Sequence, residues 1–362
     1  MPNEKLAAVF LIPAAAIVFL VLYLNFTKKF VPEVKSDTAS YKEEEKIDTE
    51  VENSNVTPVE NPQINLESEI KLPIKKTKII DFGLITKDYS NSTGEITDFQ
   101  TKTGKTVDYL SIYKHMGDET SKYLTQAELT YIKTTNKKLI IAWEPWNPAE
   151  SLNQSKNYLL DIANGTEDAY ITQFANEVKN SNVPTIIRFA HEMNGNWYPW
   201  GNKPNEYINA YKHIVTKFRD LGVTNAYWMW NINVGSVPVE PIESVSQYYP
   251  GYDYVDYVGI DGFNFGNTTN WSSWTEFEDL FHKTYNHVVH VYNKPVIIAE
   301  TSSTEHGGSK SDWIKNMDIT LQKETFSNIQ AVIWFNIIKE TDWRIDSSEI
   351  SLTNFKDTRS FD

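Results

Sequence analysis

Two glutamates carry the chemistry that this chain offers. Glu192 lies in Arg188-Phe-Ala-His-Glu-Met-Asn-Gly-Asn-Trp-Tyr-Pro-Trp-Gly201, and Glu300 lies in Lys294-Pro-Val-Ile-Ile-Ala-Glu-Thr-Ser-Ser. Each follows a short β-branched run opened by a Pro, so each reads as the C-terminal end of a buried strand. A carboxylic acid and a carboxylate held about 5 Å apart can cleave a glycosidic bond with retention, one as acid/base and one as nucleophile. Trp197, Tyr198 and Trp200 follow Glu192 closely. Flat rings of that kind pack on the faces of sugars. Taken singly, Glu192 also reads as a solvated loop residue and Glu300 as a structural one. Their occurrence at matching positions favours catalysis.

The elements that must position them recur along the chain. Strand-like segments fall at 79–84, 107–112, 138–143, 184–189, 226–230, 254–260, 295–300 and 331–335. Amphipathic stretches alternate with them, as at 166–179, 204–219, 274–291 and 310–323. Thr166-Glu-Asp offers the third of the units a capping oxygen and an acidic first turn. Eight such units over residues 78–362 predict a (β/α)8 TIM barrel, in which reactive groups gather at the C-terminal ends of the strands. Glu192 ends the fourth strand and Glu300 the seventh, so both belong at one mouth. Strand alternation sets Val296, Ile298 and Glu300 on one side, toward the barrel axis. An open doubly wound sheet is the other candidate, but no Gly-rich phosphate loop follows the first strand.

Bulk composition narrows the partners. A net charge of −14 argues against nucleic acid, which requires a basic surface. The absence of Cys removes disulfides, thiolate metal sites and a Cys nucleophile, and fits an extracytoplasmic protein. Eleven Trp and 20 Tyr suit a carbohydrate-binding surface as well as a core.

The N-terminal part has a different character. After a short tail (1–5), residues 6–26 hold an apolar run long enough for a transmembrane helix, at about 20 residues per span. It ends without a small-x-small cleavage site, so it reads as an uncleaved anchor. Residues 27–77 form an acidic, Pro-bearing linker expected to be disordered, since it has too few apolar groups to offset chain entropy. Lys28 and Lys29 after the span lean toward a cytoplasmic C-terminus. The export expected of a polysaccharide enzyme outweighs them. The expectation is a single-pass membrane protein with its catalytic domain, 78–362, extracellular and monomeric.

The motif Arg-x-x-His-Glu-Met-Asn-Gly-x-Trp-x-Pro-Trp-Gly, with Ala299-Glu300-Thr301, resembles glycoside hydrolase family 26, a group of retaining (β/α)8 glycosidases that includes endo-β-mannanases and some β-glucanases. Weaker matches are Gly94-Glu-Ile-Thr-Asp-Phe-Gln, Trp143-Glu-Pro-Trp146, Trp228-Met-Trp-Asn231 and Gly259-Ile-Asp-Gly-Phe-Asn264. The resemblance implies Glu192 as acid/base and Glu300 as nucleophile. It implies Arg188 and His191 as neighbours that position substrate and carboxylates, and Trp197 as a sugar-stacking ring. Trp143, Trp146, Trp228 and Asn231 would line the cleft. Phe263 departs from the family, where many members carry a Tyr whose hydroxyl bonds the nucleophile. Tyr252 or Tyr254 is a candidate substitute. Asp261 reads equally as a cleft residue or a loop brace, and Trp343-Arg-Ile-Asp346 as a cleft wall or a plain loop.

No metal or cofactor is implied. His287 and His290 lack carboxylates at metal spacing and read as a solvated face. Thr301-Ser-Ser lacks the Gly-x-Ser-x-Gly elbow of a serine nucleophile. The expected activity is endo-cleavage of β-1,4-mannan. A mixed-linkage β-glucanase, an exopolysaccharide-processing enzyme and a non-catalytic polysaccharide-binding protein are the alternatives.

Overall fold

β-Branched and aromatic runs form eight strands: β1 Asp81–Ile85, β2 Tyr109–His115, β3 Lys138–Glu144, β4 Thr185–Phe189, β5 Ala226–Asn233, β6 Tyr257–Asn264, β7 Val296–Ser303 and β8 Ile329–Phe335. In the computed structural model, which describes residues 77–87 and 93–362, these strands pair in parallel and in sequence order. β8 returns to pair with β1, so the sheet closes into a barrel with no free edge. This is the expected (β/α)8 architecture, and Thr77–Asp362 form one compact unit. The expected span at 6–26 and all but the last residue of the linker at 27–77 lie outside the described residues. Among the described residues, no helix is long and apolar enough to cross a membrane.

Strand parity divides the core in two. Tyr109, Ile140, Ile186, Met229, Ile297, Ala331 and Ile333 point inward and fill the barrel. Leu139, Ile141, Ile187, Phe189, Trp228 and Trp230 point outward, under the helices. The helices answer with their apolar stripes. In the helix Asp168–Ser181, Phe174 stacks on Trp143 at 4.4 Å. In the helix Pro204–Asp220, Phe218 meets Trp228 edge-on at 5.0 Å.

Two expectations are corrected here. Trp143 and Trp228 were expected in the cleft, but both belong to the outward parity and are buried beneath helices. The indole of Trp143 donates to the hydroxyl of Tyr170 in that layer (2.8 Å). Thr166 does not cap its helix. Glu167 stands at the cap position, and the Thr166 hydroxyl donates to Asn164 instead (2.6 Å).

The connection from β5 to β6 has two 3-10 turns, Ile242–Tyr248 and Tyr252–Tyr254, where the repeating pattern calls for a helix. Val245 and Tyr248 from the first turn are buried in the outer core layer.

Candidate active site

The turn after β4 is built around strained backbone. Ala190 (φ 47°) and Glu192 (φ 54°) both occupy the left-handed region, which costs a non-glycine residue about 1–3 kcal/mol. Neighbouring strands hold the turn there. The amide of Ala190 donates to Trp143 O (3.0 Å) and that of Glu192 to Asn231 O (2.9 Å). The Trp200 indole donates to His191 O (2.8 Å). Gly195 is required by close approach, because a Cβ there would lie 2.4 Å from the Trp197 ring.

The Glu192 carboxyl that this turn presents is nearly buried. Asn233 Nδ2 donates to Oε1 (2.7 Å) and Trp197 Nε1 to Oε2 (2.6 Å). Burial, and then the charge of Glu300, push its pKa up to about 7, and the two donors only partly oppose them. This is the range of a general acid at neutral pH.

Glu300 is aimed by a defect in the ladder. Ile297 faces the barrel interior and Ile298 the helices. Simple alternation from Ile298 would therefore send Glu300 outward. The register shifts instead: Ile260 pairs with Ile298, but Asp261 pairs with Glu300, leaving Ala299 as an extra residue. The ladder to β8 slips at the same place. This bulge lets Ala299 and Glu300 both face inward. The expected direction of Glu300 is correct, but the expected alternation with Val296 and Ile298 is not its cause.

Three donors converge on one oxygen of Glu300. Arg188 Nη1 and Nη2 each lie 2.7 Å from Oε1, and the Tyr113 hydroxyl donates to it at 2.5 Å. Among the described residues, no donor reaches Oε2. Arg188 Nη2 also donates to Asp261 Oδ2 (3.1 Å). Burial pulls the guanidinium pKa down, but Asp261 and Glu300 raise it more, so Arg188 stays charged. Burial pushes Asp261 well above the usual carboxylate range, against the pull of Arg188. Asp261 is fully buried and braces Arg188 from below; it does not line the cleft.

His191 lies beside this centre rather than in it. Burial, and then Arg188, hold its pKa well below the usual histidine range, so the ring is neutral. Its Nε2 is 3.2 Å from the Tyr198 hydroxyl, and the two rings meet edge-on. His191, Asp261 and Glu300 offer atoms within 4.8 Å of one another, the spacing of a metal site. The guanidinium of Arg188 already bonds both carboxylates, and a dication there would meet like charge.

A cleft of about 840 Å³ opens over both glutamates. Trp146, Trp197 and Tyr198 line the β3–β4 side, while Phe263, Phe335 and Trp343 line the β6–β8 side. Trp343 therefore forms a cleft wall, and Arg344 turns back to pair with Asp342. Asn231 faces inward but is fully buried beside Asp261, below the cleft. Neither Tyr252 nor Tyr254 replaces the missing phenol of Phe263. Both stand near cations remote from the cleft, Tyr252 under Lys294 just ahead of β7 and Tyr254 under Arg219. Tyr113, from across the barrel, supplies the hydroxyl.

Residues 145–320 match the profile of Glycosyl hydrolase family 26. The chain is 36% identical over 273 residues to Endoglucanase H of Acetivibrio thermocellus, covering 74% of this chain and 29% of that protein. The chain belongs to glycosyl hydrolase family 26.

A shorter match, 34% identical over 65 residues, joins this family 26 chain to a mannan endo-1,4-beta-mannosidase of Bacillus subtilis, covering 15% of this chain and 18% of that protein. The chain thus spans well under half the length of these relatives. Among solved structures, the catalytic domain of the Bacillus sp. JAMB-750 GH26 endo-beta-1,4-mannanase is similar in fold, with TM-score 0.58 and 18% identity over 78% of this chain and 85% of that one. The YdhT protein of Bacillus subtilis is similar as well, with TM-score 0.55 and 18% identity over 78% and 86%.

Four polar residues of the family 26 site were not singled out in the sequence. Tyr113, His115, Glu144 and Asn233 all reach the cleft. His115 Nε2 lies 2.9 Å from Glu144 Oε2, and the Trp146 indole donates to the same oxygen (2.7 Å). All four occupy inward positions at strand ends. Extending β2 and β5 by three residues and β3 by one beyond their expected ends would have exposed them.

Proposed function

We propose that this chain is a retaining endo-β-glycosidase acting on a β-linked polysaccharide. The observation that carries the reading is the opposed treatment of two buried glutamates at one barrel mouth. Glu192 is held protonated near neutral pH, while Glu300 faces a charged Arg188. Glu192 gives its proton to the departing glycosidic oxygen. Glu300 Oε2, free of donors among the described residues, forms a bond to the anomeric carbon as that oxygen leaves. Glycosylation removes the Glu300 charge, so the Glu192 carboxylate becomes easier to form. Glu192 then takes a proton from water, whose oxygen attacks the anomeric carbon and frees Glu300.

Two polymers fit this chemistry. β-1,4-Mannan is the expectation of the sequence motif, and several relatives named as mannan endo-1,4-beta-mannosidases match short segments of the chain. A β-glucan is favoured by the length of the match to Endoglucanase H. We give the glucan equal standing for that reason. We further propose that residues 6–26 anchor the enzyme in the membrane with the barrel outside the cell, a reading supported by the apolar run and the acidic stretch after it.

Reducing-sugar release on galactomannan, glucomannan, mixed-linkage β-glucan and xylan tests the activity. Glu192→Ala should lower turnover by about 10²–10⁴-fold and Glu300→Ala should abolish it. Azide should restore Glu192→Ala on an aryl glycoside, giving a glycosyl azide of retained configuration. Activity that survives Glu300→Ala would sink the mechanism.

A further inference from the structure

We infer that Trp271 is a distal sugar platform, which lengthens the cleft on the side of the chain that Glu300 retains. This rests on the glycosidase reading. Glu192 must face the departing oxygen, so the leaving half of the polymer lies toward Trp146 and Trp197. The retained half lies toward β6–β8, where rings continue outward from the nucleophile. Trp343 meets Phe265 edge-on at 5.0 Å, and Phe265 meets Trp271 at 5.1 Å. Trp271 lines the cleft and is 59% exposed. An indole left that open contributes little to folding, whereas its face is available to a pyranose ring.

The loop that carries Trp271 is fixed before any ligand arrives. Asn264 Oδ1 accepts from the amides of Gly266 (3.2 Å) and Thr275 (3.1 Å), which closes the loop on itself. Ser272, next to Trp271, donates to Gly266 O (2.7 Å). A platform held this way loses little freedom on binding. An aromatic row running from the reacting centre to an exposed rim suits long polymers and internal cleavage.

The test compares the full chain with Trp271→Ala and Trp271→Phe. With the polymer that the enzyme hydrolyses, Trp271→Ala should raise KM about tenfold (about 1.4 kcal/mol) and leave kcat within about twofold. KM for a single-sugar aryl glycoside should not move, and Trp271→Phe should recover most of the loss. Native gels containing mixed-linkage β-glucan or galactomannan provide a second readout, in which Trp271→Ala should be retarded less than the natural chain. Equal retardation and equal KM would overturn the platform. If the natural chain is retarded but hydrolyses neither polymer, the glycosidase reading fails while the mobility of Trp271→Ala still decides the role of Trp271.

Discussion

At the scale of single residues, the site works by separating two carboxyls of one type. Burial and a neighbouring charge hold Glu192 protonated, up to about pH 7. Since the acid acts in its protonated form, kcat/KM should fall as pH rises through about 7, and removal of the Asn233 donor by Asn233→Ala should move that limb upward. The same shift bears on stability. An unfolded Glu ionises near pH 4.3, so between that pH and about 7 the folded state binds the extra proton and stability falls as pH rises. Glu192→Gln should therefore be more stable than the natural chain at pH 8, by at most about 4 kcal/mol, and show no gain at pH 4. Thermal melts at the two pH values read this directly. An equal change at both would mean that ionisation of Glu192 is not the cause.

At the scale of elements, strand parity decides which aromatics meet substrate. Trp143 precedes Glu144 by one residue, yet it lies beneath helices while Glu144 lines the cleft. Trp143→Ala should thus cost about 3–5 kcal/mol of stability, with KM unchanged in whatever fraction remains folded; a denaturant melt beside KM measurements separates the two roles. The eight strands and their order were legible because β-branched runs alternate with amphipathic ones at barrel spacing. Glu192 and Glu300 were legible because each ends such a run. Trp143 and Trp228 were misplaced because a motif match reports neighbours along the chain and not the face a side chain takes. Tyr113 was missed because β2 runs three residues past its expected end and because its partner, Glu300, lies five strands later in the chain, brought near only when the barrel closes. The helix expected between β5 and β6 is replaced by 3-10 turns, for which the period offers no signal.

At the scale of the whole molecule, the parts differ in kind. The barrel and its site stand on packing within residues 77–362, whereas the proposed anchor rests on composition alone. Alkaline carbonate extraction of cell membranes tests that anchor. The full chain should stay in the pellet, and a chain lacking residues 6–26 should be released with its hydrolytic activity intact. Release of the full chain would remove the membrane proposal without touching the barrel.

The extra residue at Ala299 also divides β7 into two portions that answer to different demands. Up to Ile298, the strand is held to the packing of its neighbours; after Ala299, it is held to the position of one oxygen. Ala299 is therefore a natural seam for grafting. A strand from another parallel barrel could replace the first portion, provided that its side chains fit the two core layers. The second portion could be exchanged only as a unit together with the bulge, because the offset aims the carboxylate. Lineages that drift in the first portion would keep their chemistry, whereas straightening the bulge without removing a residue would turn Glu300 toward the helices while leaving most of the hydrophobic pattern in place.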